Sequence, residues 1–142
     1  MFSIFVLLAA KILAVYPATV VKMEDGDTVK VSIPAFQNTP FYILSVRVHG
    51  IDTPESSKAH AKCPAEITAG KVASQYAKTL VKPGDHVTVG YMGLDKYGGR
   101  ILGSITLADG RDWATTLLAK GYANPYDGKT KANWCAILKN KK

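Results

Sequence analysis

Cysteine is scarce in this chain, with two residues in 142, too few for a disulfide-dense miniprotein. Twelve glycines and seven prolines, without any internal repeat, exclude a collagen-like or low-complexity chain. Long apolar runs are missing as well. Met1 to Ala10 carry no charge, but Lys11 interrupts the run, and a membrane-spanning helix needs about 20 apolar residues. No nucleophile elbow and no phosphate-binding glycine loop are present, which removes the usual serine hydrolase and NTPase readings. His60 and Cys63 resemble half a zinc site, but Cys135 is the only other thiol and structural zinc takes four ligands. Acidic residues are few, 11 against 18 lysines and arginines, leaving a net charge of +7. The natural partner of such a surface is a polyanion.

What is present describes one globular domain. Hydrophobic residues make up 47% and charged residues 20%, which excludes a disordered chain. The N-terminal apolar stretch fits the core of a signal peptide, with Ala10 and Ala14 as cleavage positions. Residues 1–14 are therefore read as a signal peptide or N-terminal anchor and residues 15–142 as a single domain. The expected location is secreted or periplasmic, with a cytoplasmic chain keeping its N-terminus as the alternative.

The remainder reads as strands first, then strands mixed with helices. Val20 to Met23 runs into Glu24-Asp25-Gly26-Asp27, a turn with the Asp-Gly hairpin signal. Val29, Val31 and Ile33 alternate with polar residues in a second strand, and Tyr42, Leu44, Val46 and Val48 in a third. Arg47 then points away from the Leu44/Val46 face. Pro64 opens a helix whose apolar face is Ala65, Ala69, Val72, Tyr76 and Leu80, stopped by Pro83-Gly84. His86 to Met92 and Arg100 to Leu107 are two more strands, with His49 and His86 read as strand residues without a catalytic part. Asp112 caps a second short helix carrying Trp113, Leu117 and Leu118, and Trp134, Ile137 and Leu138 suggest a third. Five strands with a helix between the third and fourth give a β-rich α+β domain, a five-stranded OB-fold barrel with about three helices.

Four of the 11 acids gather in two short turns: Asp25 and Asp27 in the first, Asp52 and Glu55 in the second. Clustered carboxylate oxygens repel one another unless a cation neutralises them, and hard oxygen ligands favour Ca²⁺ or Mg²⁺. Each turn taken singly also reads as an ordinary Asx turn. Arg47 lies five residues before Asp52, and Arg100 opens another strand. Phosphodiester cleavage needs a cation, donors for the equatorial phosphate oxygens and a base for the water, and arginine forks suit those oxygens. The lysines at 129, 131, 139, 141 and 142 form a basic end that either holds nucleic acid or is simply solvated.

Several segments, in order, resemble the staphylococcal nuclease (thermonuclease) family of OB-fold phosphodiesterases. They are Pro17-Ala18-Thr19, Asp25-Gly26-Asp27-Thr28, Arg47 through Asp52-Thr53-Pro54-Glu55, Asp95-Lys96-Tyr97-Gly98-Gly99-Arg100, and Ala108-Asp109-Gly110. The resemblance implies that Asp27 and Asp52 ligate one Ca²⁺ (Mg²⁺ or another divalent cation being the alternative), with Thr53 adding its backbone carbonyl. It implies Glu55 as general base, Arg47 and Arg100 as phosphate-contacting arginines, and Asp25 as an acid beside the metal ligands. Lys96 and Tyr97 would hold a terminal phosphate, and Tyr126 would supply a stacking ring. Gly99 is additional to the family pattern and could shift Arg100 by a residue. Cys63 and Cys135 look like a subgroup in which the two face each other as a disulfide. The implied activity is calcium-dependent, sugar-nonspecific cleavage of DNA and RNA by a monomer, leaving 5′-hydroxyl and 3′-phosphate ends. The alternative is a catalytically inactive nucleic-acid-binding module of the same fold.

Overall fold

The computed structural model describes residues 11–96 and 99–141. Of the signal-peptide or anchor reading over residues 1–14, residues 1–10 lie outside the described residues, as does Tyr97. In the described part the Leu13 N–H donates to the Tyr91 carbonyl at 2.7 Å and Ala14 opens the first strand. Five strands close a barrel: β1 (Ala14–Asp25), β2 (Thr28–Ser32), β3 (Ile43–Val48), β5 (His86–Leu94) and β6 (Arg100–Thr106). Their order around the barrel is β1-β2-β3-β6-β5, with β3 and β6 parallel and the other neighbours antiparallel. This is the expected β-rich α+β barrel. Three helices accompany it, α1 (Pro64–Leu80), α2 (Trp113–Ala119) and α3 (Trp134–Lys139). Among the described residues no helix is long and apolar enough to cross a membrane.

Alternation fills the barrel with β-branched side chains. Val29 and Val31 of β2, Val46 and Val48 of β3, Val89 of β5 and Ile105 of β6 are all buried. β1 starts six residues earlier than the sequence pattern suggests and serves two neighbours. Its first half pairs with β5, and from Thr19 onward it pairs with β2 through two irregular steps. Such irregularities bend a strand and let a short sheet close. Pro17 pairs with Thr88 of β5 and has no partner on the β2 side, the edge-like place where a residue without an N–H is tolerated.

Two features depart from the sequence reading. A second sheet of two strands, β4 (Ile51–Asp52) and β7 (Asn124–Pro125), forms beside the barrel, pairing Asp52 with Asn124. The buried face of α1 is also rotated from the expected one. Glu66, Gly70, Ala73 and Ala77 are buried, while Val72 is exposed and Tyr76 and Leu80 lie at the flank. At Gly70 the helix lies directly against loop backbone, which leaves no room for a side chain. A Cβ on Gly70 would sit 2.7 Å from Glu55 C, Pro54 O and Ser56 N.

Asp112 caps α2 as expected, accepting from the Thr115 N–H at 2.9 Å. Trp113 is more than an apolar anchor: its indole N–H donates to the Gly26 carbonyl at 2.9 Å, fixing the β1–β2 turn to the core. Cys63 and Cys135 form a disulfide that ties the start of α1 to α3. Cys63 is therefore no zinc ligand.

Candidate active site

One end of the barrel holds a cavity of about 820 Å³. Asp25, Asp27, Arg47, Glu55, Lys96, Arg100 and Tyr126 all face it, as do Asp95 and Lys131. The fold brings them together by register. Thr28 pairs with Arg47 across β2–β3, and the Val48 N–H donates to the Asp27 carbonyl at 2.8 Å, so the first acidic turn is fastened to the arginine strand. The parallel β3–β6 ladder sets Arg100 opposite Ser45, on the strand that carries Arg47. Gly99 does not take Arg100 out of the cavity, whose wall it still forms as the first residue of β6. His49 lies in the turn after β3 rather than in it, and also lines the cavity.

Arg47 is buried although it faces away from Val46, because the acidic turn covers it. Its guanidinium donates to the Val48 carbonyl at 2.8 Å and lies 3.5 Å from Asp27 Oδ2. Arg100 is held from Nε and a terminal nitrogen by Asp95 Oδ2, at 3.2 and 2.8 Å. Tyr126 reaches the cavity through β7: its N–H donates to the Gly50 carbonyl. The ring lies 5.7 Å from both the Arg47 guanidinium and the Lys96 ammonium, and Lys96 also donates to its hydroxyl at 3.1 Å.

The acids divide into two groups. Asp27 Oδ2 accepts from the Thr53 N–H at 3.2 Å and the Thr53 hydroxyl at 3.0 Å. Gly26 permits this approach, since a Cβ there would meet Thr53 Cγ2 at 2.9 Å. Burial opposes the ionisation of Asp27, but the bond with Asp25, the Arg47 charge and Thr53 outweigh it and lower its pKa. Asp25 absorbs the cost of the neighbouring charge. Burial first, then Asp27, push its pKa from 3.8 up to about 8. Asp52 and Thr53 lie behind the cavity wall, and Asp52 is fully buried. Burial raises the Asp52 pKa against the pull of Lys131.

Two partners of Asp52, read from the sequence as part of a basic end and of a third helix, were not among the site residues expected from it. The Trp134 indole N–H donates to Oδ2 at 3.1 Å. Lys131 places its ammonium 3.2 Å from Oδ1 and 3.0 Å from Glu55 Oε1. The first of these is an ion pair without hydrogen-bond geometry, so Oδ1 remains a buried acceptor lacking a hydrogen-bond donor. Lys131 is half exposed, yet its ammonium lies at the cavity wall between Asp52 and Glu55. Burial works against its charge, yet Glu55 and Asp52 prevail and raise its pKa.

A hard divalent cation fits this chemistry. The donors are all oxygens, Asp52 Oδ1 is a buried acceptor whose one neighbouring cation is the Lys131 ammonium at 3.2 Å, and Asp25 and Asp27 crowd two carboxylates against the single guanidinium of Arg47. Among the described residues no three His, Cys, Asp or Glu side chains converge as a ready-made cage. The reason is visible in the bonds above: Thr53 takes Asp27 Oδ2, while Lys131 bridges Asp52 and Glu55.

Residues 45–137 match the family model described as "Staphylococcal nuclease homologue". Over 115 residues the chain is 33% identical to "Endonuclease YhcR" of Bacillus subtilis (strain 168). That alignment covers 78% of this chain and 9% of the Bacillus protein, so the likeness is to one portion of a much longer chain. The matched residues span more than half of the sequence and include Arg47, Asp52, Glu55 and Arg100, and the chain belongs to the staphylococcal nuclease homologue family.

Proposed function

We propose that the protein is a calcium-dependent, sugar-nonspecific nuclease that hydrolyses phosphodiester bonds of DNA and RNA. The observation that carries this reading is the convergence of Arg47, Arg100 and Glu55 on one cavity beside the Asp25/Asp27 pair. Two guanidinium forks offer bidentate donors to a phosphate, and the Val48 carbonyl for Arg47 and Asp95 for Arg100 hold them in place before substrate arrives. Lys96 and Tyr126 lie along the same wall, where a second phosphate and a base would rest. Tyr97 is assigned to that subsite by family resemblance.

Asp27, Asp52 and the Thr53 carbonyl would hold the cation. When bound, it supplies Lewis-acid polarisation of the phosphate. Glu55 takes the proton from the attacking water, and to do so it must part from the Lys131 ammonium on Oε1. Arg47 and Arg100 neutralise charge that grows on the equatorial oxygens. The expected products carry 5′-hydroxyl and 3′-phosphate ends. The enzyme acts as a monomer, and its location is outside the cytosol, since structural disulfides persist in oxidising compartments. A signal peptide ending near Ala10 would leave β1 whole, whereas a cut after Ala14 would remove its first residue.

A nuclease assay with added Ca²⁺ and with chelator tests the reading. Glu55→Gln keeps the shape and should lower the rate by about 10²–10⁴-fold. Full activity of that variant would remove Glu55 from its role. Binding of nucleic acid by the wild-type protein, without cleavage at any divalent cation concentration, would favour the alternative of a non-catalytic OB-fold module.

A further inference from the structure

Glu66 takes no part in the reading above, yet it is a buried carboxylate, 5% exposed, beneath the loop that carries Glu55. Both of its oxygens accept from backbone. Oε1 receives the Lys62 N–H at 2.9 Å, and Oε2 receives the Glu55 N–H at 3.0 Å, 11 residues away. Glu66 is the third residue of α1, counted from the capping position at Cys63. A glutamate at that place commonly reaches back to the N–H of the capping residue and closes a local box. Here it reaches one residue further back and spends its other oxygen on a distant loop. A helix-capping role accounts for the Lys62 bond and leaves the Glu55 bond unexplained.

The next turn of the helix meets the same loop. Gly70 lets the backbone of residues 54–56 lie directly on α1, where a Cβ would come within 2.7 Å of three of its atoms. Pro54 has no N–H, so the Glu55 N–H is the first backbone donor after Thr53 that the helix can hold. The Thr53 N–H is already bound to Asp27. One helix face therefore grips the chain at the residue whose side chain enters the cavity.

We propose that Glu66 is a positioning residue for Glu55: its two backbone hydrogen bonds, together with the close seat at Gly70, aim the Glu55 carboxylate into the cavity. The proposal rests on Glu55 being the general base, and the experiment separates the two claims. Glu66→Met fills the same space without an acceptor, Glu66→Gln keeps one acceptor, and the disulfide one residue before α1 still fastens the helix. Amide hydrogen exchange is read at Glu55 and, as a control, at Ala73 and Ala77. Exchange at Glu55 should accelerate about tenfold or more in Glu66→Met, less in Glu66→Gln, with the helix amides unchanged. In the full-length enzyme with Ca²⁺, kcat should fall about 10–100-fold while KM for DNA stays within about twofold. In a Glu55→Gln background the Glu66 substitutions should add no more than about a twofold loss, since a residue acting through Glu55 has nothing left to position. If Glu66→Met fails to fold, Glu66→Gln carries the same three readings.

Unchanged exchange at Glu55 would overturn the clamp. Losses that multiply in the double variant, or that fall on KM, would reduce Glu66 to a structural residue. Full activity of Glu55→Gln alone would instead sink the general-base reading, while the exchange measurement would still decide whether Glu66 holds the loop.

Discussion

Asparagine at position 25 imitates the protonated form of Asp25, and the pH at which that imitation begins to matter follows from the site. Burial and the Asp27 charge raise the Asp25 pKa from 3.8 to about 8, so the folded protein favours the neutral acid while the unfolded chain does not. Its stabilising contribution is full below 3.8 and is lost as pH rises through about 8. Each tenfold change in proton affinity is worth about 1.4 kcal/mol, which sets a ceiling of about 6 kcal/mol. The carboxyl is only partly sealed and faces an open cavity, so water screens it and about 2–3 kcal/mol is the working figure. The amide oxygen of the substituted side chain can accept from the Asp27 N–H as Asp25 does at 3.0 Å, and the amide carries no charge at any pH. In chelator, urea unfolding should find Asp25→Asn and the wild type almost equally stable at pH 4. At pH 8.5 the variant should be more stable by that amount. Added Ca²⁺ should narrow the gap by stabilising the wild type, since a ligand bound by the folded state alone adds to its stability. An advantage that is the same at both pH values, or larger at pH 4, would refute the reasoning.

Reduction of Cys63–Cys135, which closes a separation of 72 residues, should cost about 4 kcal/mol on the chain-entropy account and lower the melting temperature of reduced protein. An unshifted melting curve with both thiols free would contradict it. Trp113→Phe leaves the buried Gly26 carbonyl without its donor and should cost about 1–3 kcal/mol in urea unfolding. Because the same bond holds the Asp25–Asp27 turn, cation affinity should weaken too, and a calorimetric titration checks this. Lys131→Met removes the ammonium bridging Asp52 and Glu55, so the folded state should lose about 1–2 kcal/mol in chelator, less than for a fully buried pair because Lys131 is half exposed. The same variant should bind Ca²⁺ about tenfold more tightly, having lost a competing cation, and weaker binding would argue against that competition.

Local chemistry made much of this protein legible in its sequence. Alternating Val29, Val31 and Ile33, the Asp112 cap and the Pro64 start of α1 act through neighbours a few residues away, and they form where the pattern places them. The order of those elements was enough for the barrel; Arg47 and Glu55, singled out by spacing and family resemblance, do line one cavity, while Asp52 lies buried in β4 and does not. The face of α1 was misread because periodicity ranks residues by hydrophobicity. The helix meets a loop backbone at Gly70, where only a glycine fits, and one turn or two further on Ala73 and Ala77 are the buried residues rather than Val72, with Ala77 in the barrel core. Tertiary structure alone decided the partners across long separations. Lys131 reaches Glu55 over 76 residues, Trp134 reaches Asp52 over 82, and Trp113 reaches Gly26 over 87. No local preference encodes such pairs. A lysine in a basic tail and a tryptophan on a helix have the same propensities whether they meet solvent or a buried carboxylate. Barrel closure, the β4–β7 pairing and the disulfide fix which of these they meet.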